Sequence, residues 1–349
     1  MAGLVLFCMI YSLRFMIFSL WFLIYSWAFF TFFFLQEPKL YFIVNARKSG
    51  NLIGRDNDTK GLYVGMPNAT TWQHLGWKNN IVWDIMIQEK LEGKTIFLAC
   101  LNGVMQSKDD GKTWKILTNW EVSDALRIYA HPYYPQILYT LTSAGVWKST
   151  DAGESWQCKN KGLKPVSQTF MTSLLFSIKN PKHLLAGTAD GIVVSKDLGE
   201  SWQTLALAGQ EIHSLVASPN KVDFLFCATE ENGVFISQDA GKTWQSRNNG
   251  LNSKTIYEVV LHPQNPNIAY CGGHQSGLYK TENCGEKWEL LDNELKGKSI
   301  KSIAIYPEKP EIIFVGCLEG GLYKSTNGGK NFHCIGECDG RVWKVLFVP

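Results

Sequence analysis

The sequence predicts an all-β chain folded as a seven-bladed β-propeller, and three observations carry that expectation. One turn motif recurs from end to end at blade-sized intervals, each interval holds enough apolar runs for four strands, and the two ends supply complementary parts of one blade. Composition agrees: 13 Trp, 13 Tyr and 19 Phe favour strands, while 31 Gly and 12 Pro punctuate many turns.

The motif has the form S/T-x-D/N-x-G-x-x-W/F. Six clear copies lie at 107–114, 149–156, 195–202, 237–244, 281–288 and 325–332, and a degenerate seventh at 65–72 follows the same kind of apolar run, Gly61-Leu-Tyr-Val64. The closing aromatics at 72, 114, 156, 202, 244, 288 and 332 are spaced by 42, 42, 46, 42, 44 and 44 residues, the length of a four-stranded blade. Asp109, Asp151, Asp197, Asp239, Asn283 and Asn327 occupy the third position. A short carboxylate or amide there can bond the amides of a tight turn, and the glycine accepts positive φ. Each belongs to a different blade, so they are expected to be turn residues and not a catalytic or calcium cluster.

Four strands, a to d from the axis outward, fit each period. Strand a is expected at 82–87, 125–130, 171–176, 212–217, 256–261, 300–305 and 342–347. Strand b follows at 96–100 and around Leu138, Leu184, Phe226, Ala269 and Phe314; strand c precedes each box and strand d starts at its aromatic. The chain enters at 40–44 without a strand a and ends on a lone one at 341–349, so the last strand is expected to complete the first blade and leave no open edge. Residues 45–60 make a longer polar b–c connection in that blade. The propeller therefore occupies 37–349.

Before it, residues 1–36 carry one charge, Arg14, and the 22 residues from 15 to 36 are almost wholly apolar, long enough to span a bilayer as a helix. No small-residue cleavage site follows, so an uncleaved signal anchor with an extracytoplasmic propeller is expected. The alternative is that Met1 is not the true start and the protein is cytoplasmic. Sequons at 57–59 and 68–70 matter only in a eukaryotic secretory pathway. Several of the nine cysteines fall in central strands and are expected as buried free thiols, which runs against an oxidising compartment; Cys334 and Cys338 have neither redox nor zinc-site spacing, their pairing stays open, and no metal or other cofactor is expected. A net charge of +3 without a basic block gives no footprint for nucleic acid.

At these boxes the chain resembles the Asp-box (BNR-repeat) propellers: bacterial neuraminidases, two-propeller xyloglucanases, the sortilin luminal domain and photosystem II assembly factors. The resemblance covers about 39–349 and is nearest to the xyloglucanase, sortilin and assembly-factor branch. Because enzymes and binders share the box, it implies the fold and little about function. A sialidase would require an arginine cluster, yet only Arg127, Arg247 and Arg341 lie beyond the N-terminal region, and Arg247 follows a strand d. A xyloglucanase would place two carboxylates across a cleft between two propellers, and this chain supplies one propeller. Glycosidases need carboxyl groups about 5 to 9.5 Å apart; the axial candidates Asp84, Asp124 and Glu258 show no spacing that selects a pair. A non-catalytic binding or scaffold module is the expected function, with a single-propeller glycosidase as the alternative.

A ligand is expected at the channel mouth, where strands a begin. Two mixed columns lie there between apolar ones: Trp83, Leu126, Thr172, His213, Tyr257, Lys301 and Trp343, then Asp84, Arg127, Ser173, Ser214, Glu258, Ser302 and Lys344. Of these, Trp83, Asp84, Arg127, His213, Tyr257, Glu258, Lys301, Trp343 and Lys344 form the candidate binding set, suited to a peptide, a protein segment or a glycan. His131 and His262 are expected to be structural.

Overall fold

The computed structural model describes residues 38–47, 60–69, 71–77, 80–90, 93–165, 170–221, 223–291, 294–336 and 340–348. The expected anchor, the sequon at 57–59, Thr70 of the second sequon and Cys338 lie outside the described residues, as does most of the 45–60 connection. Among the described residues every strand belongs to one of seven four-stranded antiparallel sheets. In blade 1, strands b (Lys39–Arg47), c (Gly61–Gly65) and d (Gln73–Leu75) are joined on their inner side by the last strand of the chain, Gly340–Val348. Blades 2 to 7 then follow in chain order, with strands a at Val82–Lys90, Ala125–Ala130, Ser173–Phe176, Ile212–Ala217, Ile256–Leu261 and Ile300–Ile305. The C-terminal strand lies between the strands a of blades 7 and 2, so the ring closes as the chain ends imply. In blade 4 strand a starts at Ser173 and not at 171. Phe170 adopts φ +50, and Thr172 turns its hydroxyl onto the Ile212 carbonyl, 2.5 Å away, in the next blade.

Each box is one small hydrogen-bond cage. In blade 2 the Ser107 hydroxyl donates to Asp109 Oδ1 (2.8 Å) and accepts from the Gly111 amide (2.9 Å), while Asp109 accepts from the Thr113 amide (2.9 Å) and hydroxyl (2.6 Å). The same bonds recur around Asp151, Asp197 and Asp239, and Asn283 and Asn327 make the amide-accepting bond without a charge. The residue before the box glycine is itself left-handed, with φ 57 at Asp110 and 60 at Ala152, Leu198 and Ala240. From blade 3 onward its amide donates to the a–b connection of its own blade, as Leu198 does to Lys182 O (2.9 Å), which ties the two connections of that face together.

The core is divided among the seven interfaces between blades, one apolar cluster in each. Six are centred on a buried ring from strand b of the preceding blade: Tyr41, Phe97, Tyr139, Phe226, Tyr270 and Phe314. Three of these rings lie against the box glycine of the next blade, where a Cβ on Gly199, Gly285 or Gly329 would meet Tyr139 at 3.0 Å, Phe226 at 3.3 Å or Tyr270 at 3.5 Å. The glycine is thus needed for packing as well as for its φ. Free thiols of Cys100, Cys227, Cys271 and Cys317 are buried, and burial pushes Cys100 and Cys317 up to about 12. Cys334, whose pairing the sequence leaves open, is disulfide-bonded.

Candidate functional site at the channel mouth

The apolar columns of strand a are core: Val82, Ala125, Ile212, Ile256, Ile300 and Val342 are buried, as are Ile85, Ile128, Leu215, Val259, Ile303 and Val345. Between them a register shift falls on the first mixed column in five blades, at Trp83, Leu126, His213, Tyr257 and Lys301. A bulged residue opposes no partner and its side chain is re-aimed. This is why the column escapes the inward–outward alternation of the strand.

Four of those re-aimed side chains, Trp83, Lys301, Tyr257 and His213, form one arc with Trp343. Trp83 and Trp343 meet edge to face with centroids 4.9 Å apart, and Lys301 Nζ lies 5.2 Å from the Trp343 ring and 4.7 Å from Tyr257. Tyr257 meets His213 edge to face at 5.2 Å, and His213 Nε2 is hydrogen-bonded to Glu230. The arc spans blades 2, 1, 7, 6 and 5; Leu126 and Thr172 contribute no ring. Burial, with Arg127 and Lys344 nearby, pushes the Lys301 ammonium down to about 8 against the pull of Glu258. Burial likewise lowers His213, opposed by Glu230.

The second column does different work. Asp84 is buried and accepts the Ile128 amide of blade 3 (3.3 Å); Glu258 accepts the Ile303 amide of blade 7 (2.6 Å); Ser302 accepts the Val345 amide of blade 1 (3.1 Å). The same position in three blades therefore straps strand a to the next strand a. Glu258 also pairs with Lys344 at 3.7 Å, and Arg127 donates to the Leu126 carbonyl (2.9 Å). Of the nine candidate residues, Asp84 and Glu258 are thus joined to backbone, while Trp83, Tyr257, Lys301, Trp343 and His213 meet at the mouth. Trp83 Nε1 and Ser173 Oγ are buried there without a hydrogen-bond partner among the described residues. His131 accepts the Tyr133 and Tyr134 amides (both 3.2 Å), and His262 those of Gln264 and Asn265 (both 3.1 Å), so both organise turns. Among the described residues no His, Cys, Asp and Glu group could hold a metal ion.

Comparison with known proteins places this architecture. The family described as Sortilin, neurotensin receptor 3 (Sortilin-Vps10) matches residues 102–233, 190–296 and 232–343, overlapping stretches that together span more than half of the chain. The chain belongs to this family of propellers. No curated protein sequence matches it. Among solved structures, the GH74 xyloglucanase from Xanthomonas campestris is 15% identical with a TM-score of 0.63, over 82% of this chain and 51% of that one. YCF48 bound to D1 peptide is 18% identical with a TM-score of 0.56, over 73% of this chain and 80% of that one, and YCF48 from Cyanidioschyzon merolae is 16% identical at 0.53, over 73% and 84%. The chain spans 31%, 45% and 51% of the length of three GH74 structures it resembles. At these identities the likeness is one of fold.

On this sortilin-type propeller the mouth face carries further apolar residues that periodicity did not single out. Trp77, Leu101, Trp120 and Phe170 all lie on d–a or b–c connections, which share that face, and all are exposed, Trp120 at 86%. Their signal in the sequence is the opposite of a repeat: each is a large apolar residue in a connection without a counterpart in most other periods.

Proposed function

We propose that this propeller is a non-catalytic binding module that takes a peptide or protein segment at the channel mouth, held to a membrane by residues 15–36 with the propeller extracytoplasmic. The observation that carries the proposal is the arc Trp83–Trp343–Lys301–Tyr257–His213, in which four rings from four blades line up about an ammonium from a fifth, Trp343 and Tyr257 flank it directly, and no carboxylate is in contact with it among the described residues. Rings offer apolar contact area with little entropy lost, and Lys301 offers a charge for an anionic side chain or carboxylate. The exposed residues on the same face widen the contact, and a propeller of this fold, YCF48, is solved with a peptide. The glycosidase alternative needs two free carboxyl groups, whereas Asp84 and Glu258 are occupied as acceptors for neighbouring strands.

Peptide and glycan arrays probed with the full-length protein would supply a ligand, and the variant Trp83→Ala/Tyr257→Ala/Trp343→Ala tests the site. Loss of a hot-spot aromatic costs about 2 kcal/mol, so affinity should fall at least about thirtyfold while the thermal transition remains cooperative. Unchanged affinity in a folded variant would remove the mouth from consideration, and exclusive glycan binding would favour the alternative. For the anchor, the full chain should stay with membranes through carbonate extraction; its release into the supernatant would argue for a soluble protein.

A further inference from the structure

The interface between blades 4 and 5 differs from the other six. At the strand-b position that supplies a buried ring elsewhere, blade 4 carries Leu185, which is only half-buried. Leu185 lies beside the box glycine of blade 5, where a Cβ on Gly241 would meet its methyl groups at 3.6 Å. Next to it, Trp244 keeps its indole N–H on the Gly241 carbonyl of its own box (2.8 Å), as Trp114 and Trp156 do in theirs, and so does not bridge the gap. Trp202 and Trp288, by contrast, reach across to the preceding blade, bonding Lys159 O (2.9 Å) and Arg247 O (2.8 Å). The cluster here has the fewest buried members, Ile192, Ile212, Leu215 and Cys227.

A cavity of about 450 Å³ opens where the ring is missing, on the Asp-box face and away from the channel mouth. Its walls are Leu175, Leu185, Val194 and Leu205 of blade 4 against Ala217 and Leu225 of blade 5. At the rim stand Lys179, Lys196 and Lys242, with Asp223 the only acid among the lining residues. Asp223 is already paired with Lys179. At the blade 3/4 interface the acid Glu200 occupies the box position of Lys242 and clasps Lys148 (2.7 Å) and Lys159 (2.6 Å); at 4/5 that clasp is absent, and no acid contacts Lys196 or Lys242 among the described residues. Exposed Ile178, whose carbonyl accepts the Tyr133 hydroxyl (3.4 Å), extends the apolar lip.

We propose that this cleft is a second binding site, taking a free amphiphile with one apolar chain and an anionic head, of the fatty-carboxylate class. Its volume is that of a small-ligand site, and a slot opened by the loss of one ring between two sheets admits a chain more readily than a folded surface. The chain would lie between Leu185 and Leu225 and the carboxylate would meet Lys196 and Lys242, so the head and tail are recognised by different, separable residues.

Titration calorimetry of the full-length protein with dodecanoate, below its micelle concentration, tests the site against two variants. Leu185→Phe restores the ring present in the other six blades; it should fold at least as stably and lose the dodecanoate signal. Lys196→Gln/Lys242→Gln should stay folded and lose the preference for dodecanoate over dodecanol. In the wild type, shortening to decanoate should weaken binding by roughly an order of magnitude, at about fourfold per methylene. The apolar residues 1–36 are common to all these proteins, so only the differences report on the cleft. Equal dodecanoate binding by a folded Leu185→Phe variant, or no binding by the wild type, would overturn the proposal. Dodecanol bound as tightly as dodecanoate would overturn the anionic head, and capture of acidic peptides but not of dodecanoate would reassign the cleft to a protein partner.

Discussion

Each Asp box converts one side chain into the centre of a turn, and that has a consequence for acid stability. Hydrogen bonds from Thr113, Ser155 and Thr243, joined by those of the box serines, hold Asp109, Asp151 and Asp239 down at about 2. At Asp197 burial opposes the bonds from Ser201 and Ser195, and the bonds prevail, again giving about 2. An unfolded aspartate titrates near 3.9. A folded value below the unfolded one means stabilisation that is present above about pH 4 and is lost as the pH falls through about 2. Asn283 and Asn327 make the equivalent amide contact without titrating. The variant Asp109→Asn/Asp151→Asn/Asp239→Asn should therefore fold and lose less of its melting temperature than the wild type between about pH 4 and pH 2. An acid profile parallel to that of the wild type would show that these carboxylates do not control acid unfolding.

Among the connections, two bind the outer parts of neighbouring blades together. Residues 161–163 and 249–251 run along the next blade, so that Trp202 donates its amide to Lys161 O (2.9 Å) and Trp288 to Asn249 O (2.8 Å). The approach is possible because Gly162 and Gly250 lack a Cβ: one on Gly162 would stand 2.1 Å from Trp202 O, at a φ of +86. Gly209 has a similar φ of +80 and nothing within 4 Å. Gly209→Ala should cost about 1 to 2 kcal/mol, the strain of a left-handed alanine. Gly162→Ala should cost more, about 3 kcal/mol or above, because backbone must move as well. Chemical denaturation of the two variants compares them, and equal losses would mean that the connection yields freely. The existence and order of the strands could be read from the repeat, since the box, the glycine before strand c and the apolar runs are local patterns. The bulge at Trp83, Leu126, His213, Tyr257 and Lys301 could not, because a two-residue alternation gives no sign of which residue lacks a partner.

For the molecule as a whole, closure rests on Gly340–Val348, which lies on strand b of blade 1 and fills the gap between the strands a of blades 7 and 2. Its Val342 and Val345 belong to the blade 7/1 core and its Val348 to the blade 1/2 core, so one strand completes two interfaces. Deleting residues 341–349 should expose the edge of strand b, lower the melting temperature and promote self-association. A truncated protein that melts and sediments like the full chain would show that the ring does not depend on this clasp. By itself the sequence determined the fold, the number of blades and the closing strand, because turn chemistry and apolar periodicity are set within a few residues and repeat seven times. The same residues also located the channel mouth. Only the tertiary structure decided what its side chains do there: Asp84 and Glu258 bond the backbone of blades 3 and 7, whereas Lys301 lies between the rings of Tyr257 and Trp343. It alone revealed the cleft beside Leu185, since a leucine in place of a ring leaves the strand unchanged and becomes a cavity only when the next blade packs against it.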